Sequence, residues 1–254
     1  MMLRVQATSM PRVLHRAYAG AAGVVRSNPA VYRLLFGHWP AREVQGQLWD
    51  WTTLALAAAL RKQVQPGASL LDMGTGPAGV LAVFAKLQLR CGRVSGVDHL
   101  PELLRSARAT AARSGAAVDF TQSALFASVQ GRFDFIVFNA PYIPVGKGRD
   151  LGALRQSVDE KRWAGGVSGL ETIERFLAEA PDHLTSSGCV VLGVNHFYLA
   201  PGAVRKTILD AGLEELRVTR HRLTQASAYL LRPVGFSKGP HQEDPARDQH
   251  REPE

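Results

Sequence analysis

Short apolar runs alternate with longer amphipathic stretches along the middle of this chain of 254 residues. The runs are SLLDM, RVSGVD, AVDFT, FDFIVF and CVVLGV, and Ala- and Leu-rich segments such as LPELLRSARATAARSG separate them. Apolar strands that alternate with helices are typical of a mostly parallel sheet with helices on both faces. LEELRVTRHR and ASAYLLRPV add two strands joined by a short connection, which predicts a hairpin at one edge of the sheet. We therefore predict an α/β fold, with a doubly wound, mostly parallel, seven-stranded sheet.

The two ends of the chain depart from this pattern. Residues 1–40 contain five arginines and no acidic residue, while PAVYRLLFGHW has the composition of a packed helix. We predict a basic, helical extension there, with a cleaved targeting segment as the alternative. Residues 237–254 contain three prolines, many charges and no apolar periodicity, which predicts a disordered tail. Residues 41–236 are then the folded domain.

Composition limits the class of protein. The chain is 46% hydrophobic and 20% charged, as ordinary globular proteins are. The longest apolar run, around residues 54–60, is far shorter than the roughly 18 residues that a membrane span needs, so we expect a soluble, cytoplasmic protein without a membrane partner. Cys91 and Cys189 lack metal-cluster spacing, so we expect two buried thiols and no metal site. A net charge of +8 leaves nucleic acid possible as a partner.

A glycine-rich loop follows the first predicted strand. Its residues are Gly74, Thr75, Gly76, Pro77, Ala78 and Gly79. Glycines allow a tight turn from strand to helix and the close approach of a ligand to the backbone. Asp72 ends the strand, where its carboxylate can organise the loop and accept from a ligand ammonium group. Asp98 ends the next strand, where an acid can accept from both hydroxyls of a ribose, so a dehydrogenase that binds NAD also fits.

In order and spacing, LLDMGTGPAG and GVD resemble the first two cofactor motifs of the class I S-adenosylmethionine-dependent methyltransferases. The resemblance implies a seven-stranded sheet whose last strand is antiparallel. It also implies S-adenosylmethionine as the cofactor, with Asp72, Gly74, Thr75, Gly76, Gly79 and Asp98 among the residues that bind it.

The stretch FNAPYIP follows at the end of the fourth predicted strand. The side-chain oxygen of Asn139 and the carbonyl of Ala140 can accept both N–H groups of a planar nitrogen and hold its lone pair towards an incoming methyl group. Pro141 stiffens the turn and Tyr142 can stack on the planar group. The motif resembles the NPPY motif of amino-methyltransferases, with Ala140 in place of the first proline. A simple strand-terminating turn is the alternative.

Two further segments resemble the HemK-type glutamine N5-methyltransferases. RWAGGVSGLETIERFL resembles the region after NPPY, and GQLWDWTTLAL resembles a cofactor-covering segment, with Asp50 and Thr52 at the matching places. In that family an acid holds the adenine amino group, whereas this chain has SALF, where Ser123 could substitute beside Ala124. The resemblance also places Asn139 at the cofactor. Ala78, where that family usually has the third loop glycine, and Ala140 are further departures. Together they indicate either a changed substrate or lost activity.

Other residues near the predicted site are weaker candidates. Trp163, His196 and Tyr198 are expected to line a substrate pocket, whereas Glu171 and Glu174 are expected to be solvated. Trp39, Trp49 and Trp51 suit either the core or the pocket.

The sequence thus predicts an S-adenosylmethionine-dependent N-methyltransferase. Its acceptor is expected to be a planar amide or amino nitrogen of a protein, a peptide or a small molecule. A nucleic-acid base methyltransferase and a non-catalytic binding module with the same fold stay open as alternatives.

Overall fold

The structure of the chain is a computed structural model that describes residues 23–44, 46–154 and 156–236. The predicted tail and residues 1–22 of the predicted extension lie outside these ranges. The division into extension, domain and tail therefore stays a prediction.

Seven strands form one sheet. They are β1 (Leu70–Met73), β2 (Val94–Asp98), β3 (Asp119–Gln122), β4 (Phe133–Asn139), β5 (Leu184–Asn195), β6 (Leu213–Arg220) and β7 (Ala226–Pro233). The helices are α1 (Pro29–Phe36), α2 (Trp51–Gln63), α3 (Val80–Leu87), α4 (Pro101–Ser114), α5 (Val145–Asp150), α6 (Ser157–Trp163), α7 (Glu171–Glu179) and α8 (Pro201–Asp210), and a 3-10 turn, Ala180–His183, follows α7.

The strand order is β3-β2-β1-β4-β5-β7-β6. The first five strands of this order pair in parallel, whereas β7 is antiparallel to both β5 and β6. The predicted doubly wound sheet, its edge hairpin and its antiparallel last strand are therefore confirmed. Because β1 and β4 lie side by side at the point where the strand order reverses, their carboxyl ends form the crevice in which such sheets bind ligands.

An apolar core covers each face of the sheet. Along β4, Val137 belongs to one core, while Ile136 and Phe138 belong to the other, as expected when side chains alternate between faces. The predicted burial of both thiols is confirmed, and burial raises the pKa of Cys91 and of Cys189 to about 11.

Helix α1, in the described part of the basic extension, packs into the core that contains Val137. Asn28 caps this helix by accepting from the backbone N–H of Ala30 at 2.8 Å, and Gly37 ends it with φ of +80°. Tyr32 and Phe36 are fully buried. Residues 29–36 are thus attached to the folded unit.

The described residues lack two kinds of feature. Within these ranges, no helix is both long and apolar enough to cross a membrane. The same ranges hold no cluster of His, Cys, Asp and Glu side chains suited to a metal ion.

Candidate active site

A cavity of about 1210 Å³ opens at the carboxyl ends of β1, β2 and β4. Fourteen of the predicted site residues line it: Asp50, Asp72, Gly74, Thr75, Gly76, Asp98, Ser123, Ala124, Asn139, Ala140, Pro141, Tyr142, Trp163 and Tyr198. Thr52, Gly79 and His196 are not part of its wall. A smaller cavity of about 500 Å³ lies elsewhere, beside Lys86 and Arg108, and none of the predicted site residues lines it.

Asp72 holds the loop between β1 and α3. Only 2% of the residue is exposed, and its Oδ2 accepts from Thr75 Oγ1 at 2.7 Å and from the N–H of Ala82 at 3.1 Å. Burial raises the pKa of the carboxyl group to about 7, although both hydrogen bonds oppose the rise. The loop therefore depends on this side chain for its shape.

The glycines of the loop have different physical roles. At Gly76, φ is +65° and an added Cβ would meet no atom within 4 Å, so the backbone there is open to a ligand. An added Cβ on Gly74 would lie 3.1 Å from the Phe138 ring instead. On Gly79 it would lie 3.3 Å from the Phe120 ring, so this glycine serves helix packing away from the cavity.

Asp98 joins the end of β2 to the same loop. Its Oδ2 accepts from the N–H of Gly76 at 3.0 Å, and its Oδ1 accepts from the N–H of Leu100 at 3.1 Å. His99 Nδ1 lies 3.4 Å from Oδ1. The carboxylate is thus buried beside the open glycine, where the ribose was expected.

Ser123 is less suited to the role expected of it. Its hydroxyl donates to the carbonyl of Leu125 at 2.7 Å and accepts from the N–H of Ser128 at 2.9 Å. Since its one proton and one of its lone pairs are used within the loop, the hydroxyl mainly braces the loop. Its neighbour Ala124 is exposed to the cavity.

Asn139 is oriented by the first turn of α2. Its Nδ2 donates to Asp50 Oδ1 and to Thr53 Oγ1, each at 3.1 Å. Reversing the amide would place its carbonyl against the carboxylate of Asp50, which is unfavourable. Asn139 Oδ1 is consequently turned away, and it is buried without a hydrogen-bond partner among the described residues.

Asp50 and Thr53 also fix one another. Asp50 Oδ1 accepts from the backbone N–H of Thr53 at 2.6 Å and from its Oγ1 at 2.8 Å. In return, the backbone N–H of Asp50 donates to Thr53 Oγ1 at 3.3 Å, which closes a capping box at the start of α2. Thr53 is not among the site residues predicted from the sequence. Its position three residues after an acid, at the start of an apolar helix, is the capping signal that could have found it.

Tyr142 lies beside Asn139 and is also tied to α2. Its hydroxyl lies 3.0 Å from Thr52 Oγ1 and 3.5 Å from Asp50 Oδ2, and its ring centre lies 6.0 Å from that of Tyr198. Burial raises the pKa of Tyr142, and the charge of Asp50 adds to the rise. Thr52 therefore contacts the hydroxyl of Tyr142, not the cavity.

The WAGG segment supports this turn from outside. The N–H of Ile143 donates to the carbonyl of Trp163 at 3.1 Å, and the N–H of Gly165 donates to the carbonyl of Ile143 at 3.0 Å. An added Cβ on Gly165 would lie 2.5 Å from the carbonyl oxygen of Pro141. Glycine at this position therefore lets the two backbones lie in contact.

Glu171 is partly exposed and also makes hydrogen bonds within the chain. Its carboxylate accepts from the N–H groups of Ser168 at 2.9 Å and of Gly169 at 3.1 Å. Burial alone would raise the pKa of Glu171, but these bonds lower it to about 2. The side chain thus holds the turn before α7, whereas Glu174 is exposed as expected.

His196 is held in the loop after β5. Its Nδ1 lies 3.0 Å from the carbonyl of Leu199, and its Nε2 lies 2.9 Å from the hydroxyl of Tyr229.

Trp49 and Trp51 line the cavity with ring centres 5.2 Å apart. Trp39 does not line it.

The chain is similar to known methyltransferases. Residues 46–158 match the family model of the methyltransferase small domain. The chain is 35% identical over 163 residues to a release factor glutamine methyltransferase of Geobacter sulfurreducens, which covers 61% of this chain and 56% of that protein. It is 41% identical over 88 residues to a ribosomal protein L11 methyltransferase of Thermosipho africanus, which covers 35% of this chain and 33% of that protein.

One solved structure shows the same fold along most of the chain. It is a methyltransferase from Pyrococcus furiosus, with a TM-score of 0.62 and 21% identity over 87% of this chain and 96% of that one. The chain spans about half the length of the glutamine methyltransferase above. S-adenosylmethionine is the methyl donor that the matched domain implies. Residues 46–158 are a methyltransferase small domain, related to the HemK-type glutamine methyltransferases and set in the class I methyltransferase fold.

Proposed function

We propose that this chain is an S-adenosylmethionine-dependent N-methyltransferase that acts on a planar amide nitrogen of a protein or peptide. The carbonyl of Asn139, which is buried and has no partner among the described residues, carries the proposal. Buried acceptors in folded proteins nearly always have a donor, so an N–H group of a bound substrate is a natural partner.

The loop residues fit the cofactor. When bound, S-adenosylmethionine supplies a methyl group on a positively charged sulfur. Gly76 offers open backbone, Asp98 lies where ribose hydroxyls can donate to it, and Asp72 is the carboxyl group for the ammonium end. These contacts to the cofactor are part of the proposal.

Beside Asn139 and Ala140, the chain orients the substrate nitrogen, which is a weak nucleophile. The nitrogen donates its two N–H groups to Asn139 Oδ1 and to the carbonyl of Ala140, so its lone pair points at the methyl group. With the cofactor bound, the lone pair would form the new N–C bond, and the electrons of the broken S–C bond would stay on sulfur. The nitrogen then loses a proton to water, so no general base is required.

Asp50 makes Asn139 Oδ1 a stronger hydrogen-bond acceptor. A carboxylate that accepts from Nδ2 polarises the amide and raises the negative charge on Oδ1. Oδ1 can then stabilise the positive charge that develops on the nitrogen in the transition state. Asp50 is thus a positioning residue, and Asn139 is the residue that contacts the acceptor.

A base amino group of a nucleic acid is the second candidate acceptor, because the same two carbonyls suit it and the chain carries a net charge of +8. The protein amide is favoured because the curated relatives compared above are named for protein substrates.

Methyl transfer from labelled S-adenosylmethionine separates these candidates. We expect a glutamine-containing peptide to be labelled, with the methyl group located on the side-chain nitrogen by mass spectrometry. Labelling of an adenine- or guanine-containing oligonucleotide alone would favour the second candidate. Tight binding of S-adenosylhomocysteine without labelling of either would indicate a binding module, and a preference for NAD would contradict the proposal.

A further inference from the structure

Three acidic side chains line the cavity. They are Asp50, Asp72 and Asp98, and each accepts hydrogen bonds from the protein itself. No glutamate and no other aspartate lines the cavity in the described part of the chain. Negative charge is therefore confined to the cofactor loop and the start of α2.

Four positive side chains also line the cavity. They are Arg26, Lys161, Arg162 and Arg175. They come from the residues before α1, from α6 and from α7, so the fold gathers them from distant parts of the sequence. Lys161 and Arg175 are exposed. The part of a cleft where positive side chains predominate attracts negatively charged ligands.

Arg162 lies near two carboxylates of the protein. Its side chain is partly buried, which lowers its pKa, and the charges of Asp98 and Asp159 oppose that shift. Arg26 lies near Tyr198. Burial raises the pKa of Tyr198, and the charge of Arg26 opposes that rise.

Two exposed apolar side chains line the same cavity. Leu223, in the turn between β6 and β7, is 91% exposed, and Phe197, after β5, is 40% exposed. Large apolar side chains exposed at a cavity suit contact with another protein. A nucleic-acid strand would gain little from the aliphatic Leu223, because its surface is mainly phosphate and sugar.

We propose that the substrate presents its acceptor amide on an acidic peptide segment, whose carboxylates are bound by Arg26, Lys161 and Arg175. This inference rests on the proposed amide methylation and adds the charge of the substrate. Apolar residues of the segment contact Phe197 and Leu223.

Peptides that differ only in flanking charge test the inference. Three nonapeptides share a central glutamine and carry glutamate, serine or lysine at the flanking positions. Binding to the full chain, saturated with S-adenosylhomocysteine, is measured by calorimetry, and methyl transfer from labelled S-adenosylmethionine is measured in parallel. We expect the glutamate peptide to bind most tightly and its affinity to fall with added salt.

Variants identify the side chains responsible. Each of Arg26→Gln, Lys161→Gln and Arg175→Gln should weaken binding of the glutamate peptide about two- to fivefold, the usual scale for one exposed charge pair. Arg105→Gln is the matched control, because Arg105 is an exposed arginine of α4 that does not line the cavity. Its binding should match that of the wild type.

The outcomes separate this inference from the proposed function. Equal affinity for all three peptides, or a preference for the lysine peptide, would overturn the inference even if the peptides are methylated. Tighter binding of a single-stranded RNA nonamer, weakened by the same variants, would overturn it in favour of nucleic acid. Selective binding of the glutamate peptide without methyl transfer would support the charge preference and contradict amide methylation.

Discussion

Asp50 Oδ1 lies 3.1 Å from Nδ2 of Asn139, although 89 residues separate the two in sequence. Asp50 precedes α2 and Asn139 ends β4, so the contact joins a helix N-terminus to the carboxyl end of a central strand. It fixes which way the amide faces, and hence where an acceptor nitrogen can bind.

Asn139→Ala should lower turnover by roughly 10²-fold or more while leaving cofactor affinity almost unchanged, because one aligned acceptor at the reacting nitrogen is lost. Steady-state methyl transfer and calorimetry with S-adenosylhomocysteine measure the two effects. Asn28→Ala is the matched control, since Asn28 only caps α1. It should cost about 1 kcal/mol of stability and leave turnover normal. Wild-type turnover in Asn139→Ala would leave FNAPYIP as a turn.

Thr53→Val should lower kcat more than it raises KM, because Asn139 then loses one of the two partners that hold its amide. A loss of about one hydrogen bond predicts a decrease of about tenfold. Thr121→Val, at an exposed position on β3, is the control. An unchanged kcat in a folded Thr53→Val protein would contradict the positioning role.

Asp98→Ala should weaken binding of S-adenosylhomocysteine by about 1–3 kcal/mol, because two ribose hydroxyls lose a charged acceptor. Calorimetry measures the change, with Asp119→Ala, an exposed acid on β3, as the control. Equal affinities in the two folded variants would mean that the ribose binds elsewhere.

Gly165→Ala should destabilise the fold by about 1–3 kcal/mol, because its Cβ would lie 2.5 Å from a backbone oxygen in the turn that carries the site. Gly202→Ala, in α8 with open space around it, should be neutral or stabilising by up to about 1 kcal/mol. Urea unfolding measures both variants. Equal stability of the two would contradict the close backbone contact.

The buried carboxyl of Asp72 predicts a pH dependence of stability. Its pKa is about 7 in the folded chain and about 3.9 when unfolded. Between these values the folded state keeps a proton that the unfolded state releases, so this group's contribution falls as pH rises from about 4 to 7 and is constant above that. The stability of Asp72→Asn relative to wild type should therefore increase over this interval in unfolding experiments. A constant difference would contradict the raised pKa.

The fold was predictable from the sequence because its signals are local. Strands such as FDFIVF are apolar on both faces, and glycines stand where the first strand turns tightly into a helix. The same reasoning correctly placed Asp72, Asp98 and Asn139 at strand ends, since the ends of neighbouring parallel strands meet at one edge.

The residue types at the strand ends set which chemical groups reach the crevice. The direction in which those groups point depends on the packing of distant segments. The amide of Asn139 is oriented by Asp50 and Thr53, which lie far from it in sequence and meet it only because α2 packs across the sheet. In the same way, His196 faces Tyr229 rather than the cavity, and Gly79 serves helix packing. Periodicity reports which residues are buried, whereas side-chain direction and hydrogen-bond partners depend on segments distant in sequence.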